Sequence, residues 1–300
     1  MTTLTQDLIQ LLSVVPKDQG YFLAHSKPLF GDYIFGGQLL AQSIVSASFT
    51  CTLPLHSLHA NFISAGLANQ PVLFKVENLR DSHSFSTRQV TAIQHGKPIY
   101  MVMLSYMKNE TGMEYQIPEP DLIQQFPPSM LKEEQFHKAQ IQSSISPEYL
   151  ATFLQPFQLI SKPIEYVLTD LPPSGQASVL NQNQYAEYLK LHDALDAQFD
   201  QLHIHQAIAA YYSDYNLYSA ALKTHGLNYL SPELIATSLD HSMYFHHTFR
   251  VDNWVFYDMN TTRTSQSRGL THGQMWQDGK LVASTTQENL MRYTGESSAL

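Results

Sequence analysis

The 300-residue chain is predicted to be an α+β protein in which one helix-plus-antiparallel-sheet unit occurs twice in tandem. Three observations predict this. Two stretches carry the marks of a central helix, one opening at Phe35-Gly36-Gly37 and one over residues 205–222. Each is followed by four runs rich in Val, Ile, Phe, Tyr and Thr with turn signals between them, the pattern of an antiparallel meander. Short matches also recur at a fixed distance. Ser82-His83-Ser84 faces Ser265-Gln266-Ser267, and Gln94-His95-Gly96-Lys97 faces Gln277-Asp278-Gly279-Lys280, both offset by 183 (265 − 82 and 277 − 94). His56-Ser57 faces His241-Ser242 at 185 (241 − 56), and the change of two fits a loop insertion between strands.

In chain order, Leu4, Leu8, Leu11, Leu12 and Val15 mark a short amphipathic helix ending at Pro16, followed by a loop rich in Gly, Lys and Pro. The segment from Phe35 to Val45 then reads as glycines opening a helix of apolar and small residues. Glycines there serve an ordinary helix start, or let a ligand approach unpaired N–H groups closely. Strands are predicted over 56–63, 72–79, 84–93 and 98–107, with turns at 66–71, 80–82 and 95–97. Residues 108–147 are rich in Glu, Gln and Pro, and Pro118, Pro120, Pro127 and Pro128 argue against regular structure. The expected organisation is therefore an amino-terminal unit over 1–125, a linker over 126–160 and a carboxyl-terminal unit over 161–300. In the second unit strands are predicted over 164–168, 185–191, 234–249, 254–259, 269–276 and 281–292.

The helix over 205–222 is predicted to run about five turns, because Ile204, Ile208, Tyr211, Tyr215, Tyr218 and Leu222 recur at steps of three and four. Asp214 falls in its middle, among Tyr211, Tyr212, Tyr215 and Leu217. A carboxylate there is costly to bury unless something hydrogen-bonds to it or uses it. The helix alone leaves open whether Asp214 faces solvent, is satisfied internally or does chemistry.

Composition narrows the classes. A net charge of −9, from 17 basic and 26 acidic residues, argues against an extended nucleic-acid surface. The single cysteine, Cys51, excludes an internal disulfide framework and a Cys-rich zinc site, and fits a reducing compartment. No apolar run approaches the roughly 18 residues of a membrane span. The terminal Ser298-Ala299-Leu300 lacks the basic residue of a peroxisomal address, so a cytoplasmic location is expected over a peroxisomal one. Among fourteen histidines, His203 with His205 and His246 with His247 point apart on a helix and a strand, so no metal site is expected. Ser238, Asp240 and His241 share one strand, and no Gly-x-Ser-x-Gly sequence exists to support a serine hydrolase.

Phe35-Gly-Gly-Gln38, His56-Ser-Leu-His-Ala-Asn-Phe62, Arg80-Asp-Ser-His-Ser-Phe85 with Arg88, Gln94-His-Gly-Lys97, Asp240-His-Ser-Met-Tyr-Phe-His246, Ser267-Arg-Gly269 and Thr286-Gln-Glu288 resemble the type II acyl-CoA thioesterases. The likeness spans residues 5 to 293. It implies a double hotdog fold, two helix-wrapped antiparallel sheets in one chain, and hydrolysis of fatty acyl-CoA without metal, cofactor or covalent intermediate. It also implies a homodimer or homotetramer. Carried over from the family, the groups that hold the attacking water fall on Asp214, Ser238 and Gln287. Ser238 is preferred to the adjacent Thr237 because it lies two residues before Asp240.

That assignment suits a thioester, which a well-held water can attack directly. A carboxylate takes the proton while a hydroxyl and an amide orient the lone pair. The glycine-opened helix at Gly36 and Gly37 is a candidate source of oxyanion donors and hence of substrate contacts. Seen alone, Gln287 could pair across strands and Ser238 could cap a turn. Gln287 has no counterpart in the first half, where 287 − 183 is Leu104, so one site per chain is expected. Arg80, Arg88, Lys97, Arg263 and Arg268 are available to CoA phosphates. The alternatives are a hotdog hydratase acting on enoyl-CoA and an acyl-CoA-binding protein without turnover.

Overall fold

A computed structural model of the chain describes residues 3–29, 31–125, 163–168, 180–227, 231 and 233–295. The linker expected over 126–160 and the terminal Ser298-Ala299-Leu300 lie outside the described residues. Helix α1 (Leu4–Leu12) starts in a capping box, in which Gln6 N–H donates to Thr3 Oγ1 at 3.2 Å and Thr3 N–H to Gln6 Oε1 at 3.1 Å. Its Leu8, Ile9 and Leu12 are buried. Two expectations are corrected here: the helix ends at Leu12 instead of running through Val15 to Pro16, and the loop expected after Pro16 holds a strand. Strands β1 (Val14–Pro16) and β2 (Tyr21–Ala24) pair antiparallel there, turning through Gln19 and Gly20 at φ 57° and 79°. Two strands of three and four residues are too short to show a period, and β1 is an edge strand, where proline's missing N–H is tolerated.

Helix α2 (Gly36–Ser48) and strands β3 (Leu55–Phe62), β4 (Val72–Asp81), β5 (Phe85–Gln94) and β6 (Lys97–Met107) follow within a few residues of the predicted bounds. Among its described residues the Pro-rich stretch holds a short helix, α3 (Asp121–Gln125), where none was expected. Pro120 precedes its first residue, a place where proline does not break a helix. The second half supplies β7 (Ile164–Leu168), β8 (Gln184–Leu191), helices α4 (Leu202–Ser213) and α5 (Ser219–Lys223), then β9 (Leu234–Ser238), β10 (Asp240–Phe245), β11 (Val255–Ser265), β12 (Arg268–Gln277) and β13 (Lys280–Tyr293).

Two predicted elements are broken. The five-turn helix stops at Ser213 and resumes at Ser219, with Asp214 at the cap. Asp214, Tyr215 and Asn216 supply the reason, since Asp and Asn side chains compete with the helical ladder. Here Asp214 is engaged with Ser238, and Asn216 Nδ2 donates to Glu187 at 2.8 Å. The predicted strand over 234–249 is divided at Leu239, although both pieces pair with β13. Asp240 Oδ1 accepts from Glu288 N–H at 2.8 Å at the jog.

All thirteen strands of the described residues form one antiparallel sheet, ordered β1-β2-β4-β5-β6-β3-β10-β13-β12-β11-β8-β7 with β9 also on β13. The order is a palindrome of two equivalent halves. The repeat is visible in detail. Both hairpin tips, His95-Gly96 and Asp278-Gly279, have positive φ at each central residue, as a two-residue type I′ turn requires. Register shifts fall at Asn78/Arg80 and Thr261/Arg263, offset by 183 (261 − 78). Gln94 Oε1 accepts from Leu67 N–H and Gln277 Oε1 from Arg250 N–H, again 183 apart (250 − 67). At the seam Leu58 pairs with Met243, which is its own counterpart at 185 (243 − 58), so the internal two-fold passes beside that pair. The fold is a double hotdog, with α2 and α4 packed together inside the sheet.

Candidate active site

Helices α2 and α4 lie antiparallel, so the start of one meets the end of the other. A Cβ on Gly37 would sit 2.1 Å from Tyr211 O, and one on Gly36 would sit 2.5 Å from Asp214 Oδ2. Only glycines allow this approach. What they admit is the last turn of α4 and its carboxylate, and the Gly37 N–H donates to Asp214.

Asp214 is 5% exposed. Burial pushes its carboxyl up to about 6, against hydrogen bonds from Ser238, Gln287 and Gly37 that pull it down. Aromatic rings supply the low-dielectric surroundings: Phe35 packs on Tyr211 and Tyr215 with centroids 5.3 and 5.0 Å apart. Ser238 Oγ donates to Asp214 Oδ1 at 2.8 Å. Having given its proton away, Ser238 accepts from Gln287 Nε2 at 3.0 Å and from Asn289 Nδ2 at 3.4 Å. The structure therefore brings Asp214, Ser238 and Gln287 into one hydrogen-bonded cluster with the Gly36-Gly37 helix start beside it.

The Gln287 amide sets which ring nitrogen of His241 carries the proton. His241 is completely buried, and burial lowers its imidazole to about 4, so it carries one ring proton at neutral pH. Gln287 Nε2 donates to Ser238 and, at 3.2 Å, to Asn289 Oδ1, which leaves Oε1 to accept from His241 Nδ1–H. Nε2 of the imidazole then faces Ser213 Oγ at 3.0 Å, a hydroxyl that also donates to Ala210 O at 2.9 Å. A flipped amide would aim Oε1 at the carboxylate instead. This relay of Ser213, His241, Gln287 and Asn289 was not assigned from the sequence, but a signal existed. His241, Met243 and Phe245 are buried at alternate positions of β10, as are Thr285, Gln287 and Asn289 of β13, so the polar ones among them face inward together.

Other candidates are engaged elsewhere. Arg88, offered for CoA phosphates, is 2% exposed and donates to Thr50, Asp81, Arg80 O and Thr87 O. Arg268 pairs with Glu288 at 2.9 Å. Of the histidines, His205 contacts Asp200 at 2.8 Å and His246 contacts Ser284 at 2.9 Å. His241 reaches Ser213, not Ser238.

Comparison with known proteins points one way. A family model described as "Acyl-CoA thioesterase" matches residues 177–290, and one described as "Acyl-CoA thioesterase N-terminal domain" matches residues 25–107. The human protein "Acyl-coenzyme A thioesterase 8" is 30% identical over 94% of this chain and 88% of its own length. The crystal structure of the acyl-CoA thioesterase II TesB2 from Mycobacterium marinum aligns with a TM-score of 0.71 at 28% identity, covering 98% of this chain and 99% of that one. A hot dog fold protein of unknown function from Alicyclobacillus acidocaldarius aligns at 0.69 and 16% identity, over 97% and 99% of the two chains, a likeness of fold alone.

Proposed function

The chain belongs to the acyl-CoA thioesterase family and is a thioester hydrolase; from that premise we propose that Asp214, Ser238 and Gln287 hold the water that attacks the substrate's thioester carbon. The observation that carries the proposal is the chain of hydrogen bonds from Gln287 through Ser238 to Asp214, at 3.0 and 2.8 Å, between residues of three separate elements. Asp214 Oδ1 is occupied by Ser238, and Oδ2 faces Gly36. Water bound at Oδ2 would lie at the start of α2, held by a carboxylate that Ser238 and Gln287 keep in place from the other side.

In this mechanism the water oxygen bonds to the acyl carbon as its proton passes to Asp214, the general base. The carbonyl oxygen becomes an oxyanion at the positive end of α2, where the Gly36 N–H is the proposed donor. Collapse breaks the carbon–sulfur bond, and the proton held by Asp214 passes to the departing thiolate. Fatty acid and CoA result. His241, behind Gln287, touches no reacting atom and serves as a positioning residue. An enoyl-CoA hydratase reading is disfavoured because this imidazole reaches Asp214 only through Gln287.

Replacing Asp214 with Asn is expected to lower thiol release from acyl-CoA by about 10²–10⁴-fold with the fold retained. Hydrolysis at the wild-type rate would remove the proposal. A panel of acyl-CoAs from short to long, followed by thiol release, reads out the preferred chain. We further propose a cytoplasmic homodimer or homotetramer acting on acyl-CoA, and the division of the chain into units over 1–125 and 161–300 joined through 126–160. Among the described residues no helix is long and apolar enough to cross a membrane.

A further inference from the structure

A cavity of about 320 Å³ lies at the far end of the two central helices, lined by the carboxyl end of α2, the amino end of α4 and the strands beside them. Ser48, at its wall, is twelve residues along α2 from Gly36, about 18 Å at a helix's rise per residue. The two-fold that relates the halves explains its position. The helices begin at Gly36 and Leu202, an offset of 166 (202 − 36), which carries Gly36 and Gly37 onto Leu202 and His203 and brings Asp214 back to Ser48 (214 − 166). The strand offsets bring Ser238 back to Leu53 (238 − 185), Asn289 to Tyr106 (289 − 183) and Gln287 to Leu104 (287 − 183). Ser48, Leu53, Tyr106, Leu202 and His203 all line the cavity. It is the internal counterpart of the Asp214 site, with carboxylate, hydroxyl and amide replaced by Ser48, Leu53 and Leu104.

The walls are not merely apolar. Tyr106 is 3% exposed, and its hydroxyl is buried without a hydrogen-bond partner among the described residues. Burial raises its pKa, so it stays a donor. The α4 start adds a second feature that favours an acceptor, because Gln201 at the cap makes no side-chain hydrogen bond to it. Ile44, Leu53 and Leu55 supply apolar wall for a hydrocarbon chain. A buried donor with no partner, a helix start and an apolar wall are complementary to one chemical group, an acyl carbonyl carrying an alkyl chain.

We infer that this cavity is a second, non-hydrolysing site for a fatty acyl group, supplied as the acyl-CoA thioester or as the released fatty acid. Recognition there runs through the Tyr106 hydroxyl and the start of α4, and nothing at the positions of the water-holding groups can activate water. The inference rests on the reading of the Asp214 cluster as the hydrolytic site.

The test is equilibrium dialysis of the full chain with a ketone analogue of acyl-CoA, in which a methylene separates sulfur from carbonyl, and separately with the matching fatty acid. The wild-type chain is expected to bind two analogues. Leu53→Trp, which fills the cavity, is expected to bind one while keeping saturated turnover within twofold. Tyr106→Phe is expected to weaken the second site about tenfold, the loss of one hydrogen bond. Fatty acid that displaces only the second analogue identifies product as the physiological occupant, and failure to displace it identifies the thioester. Binding of one analogue by the wild-type chain, or of two by Leu53→Trp with unchanged affinities, overturns the inference. If Leu53→Trp does not fold by circular dichroism, Ser48→Leu takes its place with the same expected outcome. Asp214→Asn in the same dialysis, with thiol release from acyl-CoA assayed separately, distinguishes the two proposals: it should bind two analogues, and hydrolysis at the wild-type rate would count against water activation by Asp214, not against the stoichiometry.

Discussion

Asp214 is ionised at a cost that the proposed mechanism uses. Its carboxyl titrates at about 6 in the folded chain against an ordinary 3.8, chiefly because it is buried. Between those values the folded chain holds a proton that the unfolded chain has released. Stability therefore falls as pH rises through this window, and the penalty is fully present above it. Asp214→Asn should accordingly stabilise the chain more at pH 8 than at pH 4, by on the order of 2–3 kcal/mol at most, seen as a larger rise of the thermal midpoint at pH 8, while turnover falls by about 10²–10⁴-fold. Calorimetry at the two pH values checks this, and an equal shift at both would contradict it. In the wild-type chain kcat/KM is expected to climb as pH passes 6 and to level off above it. His241 belongs to the same scale. His241→Phe should reduce kcat by roughly tenfold or more with KM little changed, since one group that orients Gln287 is lost and no substrate contact is. A rise in KM at unchanged kcat would instead place His241 in binding.

At the scale of elements, the Asp214 cluster exists because α2 and α4 touch end to start. Gly37→Ala would place a methyl 2.1 Å from a backbone carbonyl that cannot swing aside. The helices must then separate, which is expected to lower stability by about 1–3 kcal/mol, as for overpacking in a core. It should also cost activity, because the N–H that contacts Asp214 moves with them. Denaturant unfolding and thiol release measure the two effects on one sample. Helix breakage at Asp214 serves the same geometry: a continuous helix would keep the carboxylate on the cylinder, whereas the cap lets it meet Ser238. The jog between β9 and β10 has a similar consequence, placing Ser238 opposite Asn289 on β13.

Across the whole molecule, the two halves share one sheet through the seam between β3 and β10, where Asn61 to Ser57 pair with Asp240 to Tyr244. They also share the proposed site. Gly36 and Gly37 come from the first half, and Asp214, Ser238 and Gln287 from the second. Residues 1–125 and 161–300 produced separately should therefore release no thiol from acyl-CoA, and production together should restore a co-eluting, active pair. Size-exclusion chromatography with a thiol assay decides, and activity in the second half alone would refute the shared site.

Much of this was legible in the residues themselves. Alternation and turn chemistry located the eight principal strands, because a period of two and a positive-φ hairpin are local properties. The offset of 183 revealed the repeat for the same reason: equivalent hairpins need equivalent residues at Gln94-His-Gly-Lys97 and Gln277-Asp-Gly-Lys280. Local pattern could not reveal that Asp214 ends a helix, since the face formed by Ile208, Tyr211 and Leu222 continues across the break and only a partner 24 residues away makes the cap worthwhile. Nor could it reveal that Arg88 is buried or that His241 stands behind Gln287, because both facts depend on which residues the sheet brings opposite one another. The sequence by itself determined the fold, the repeat and the types of group available for chemistry. Only the tertiary structure decided which of those groups meet, because register across a shared sheet and the contact of two helix ends join residues that no local period relates.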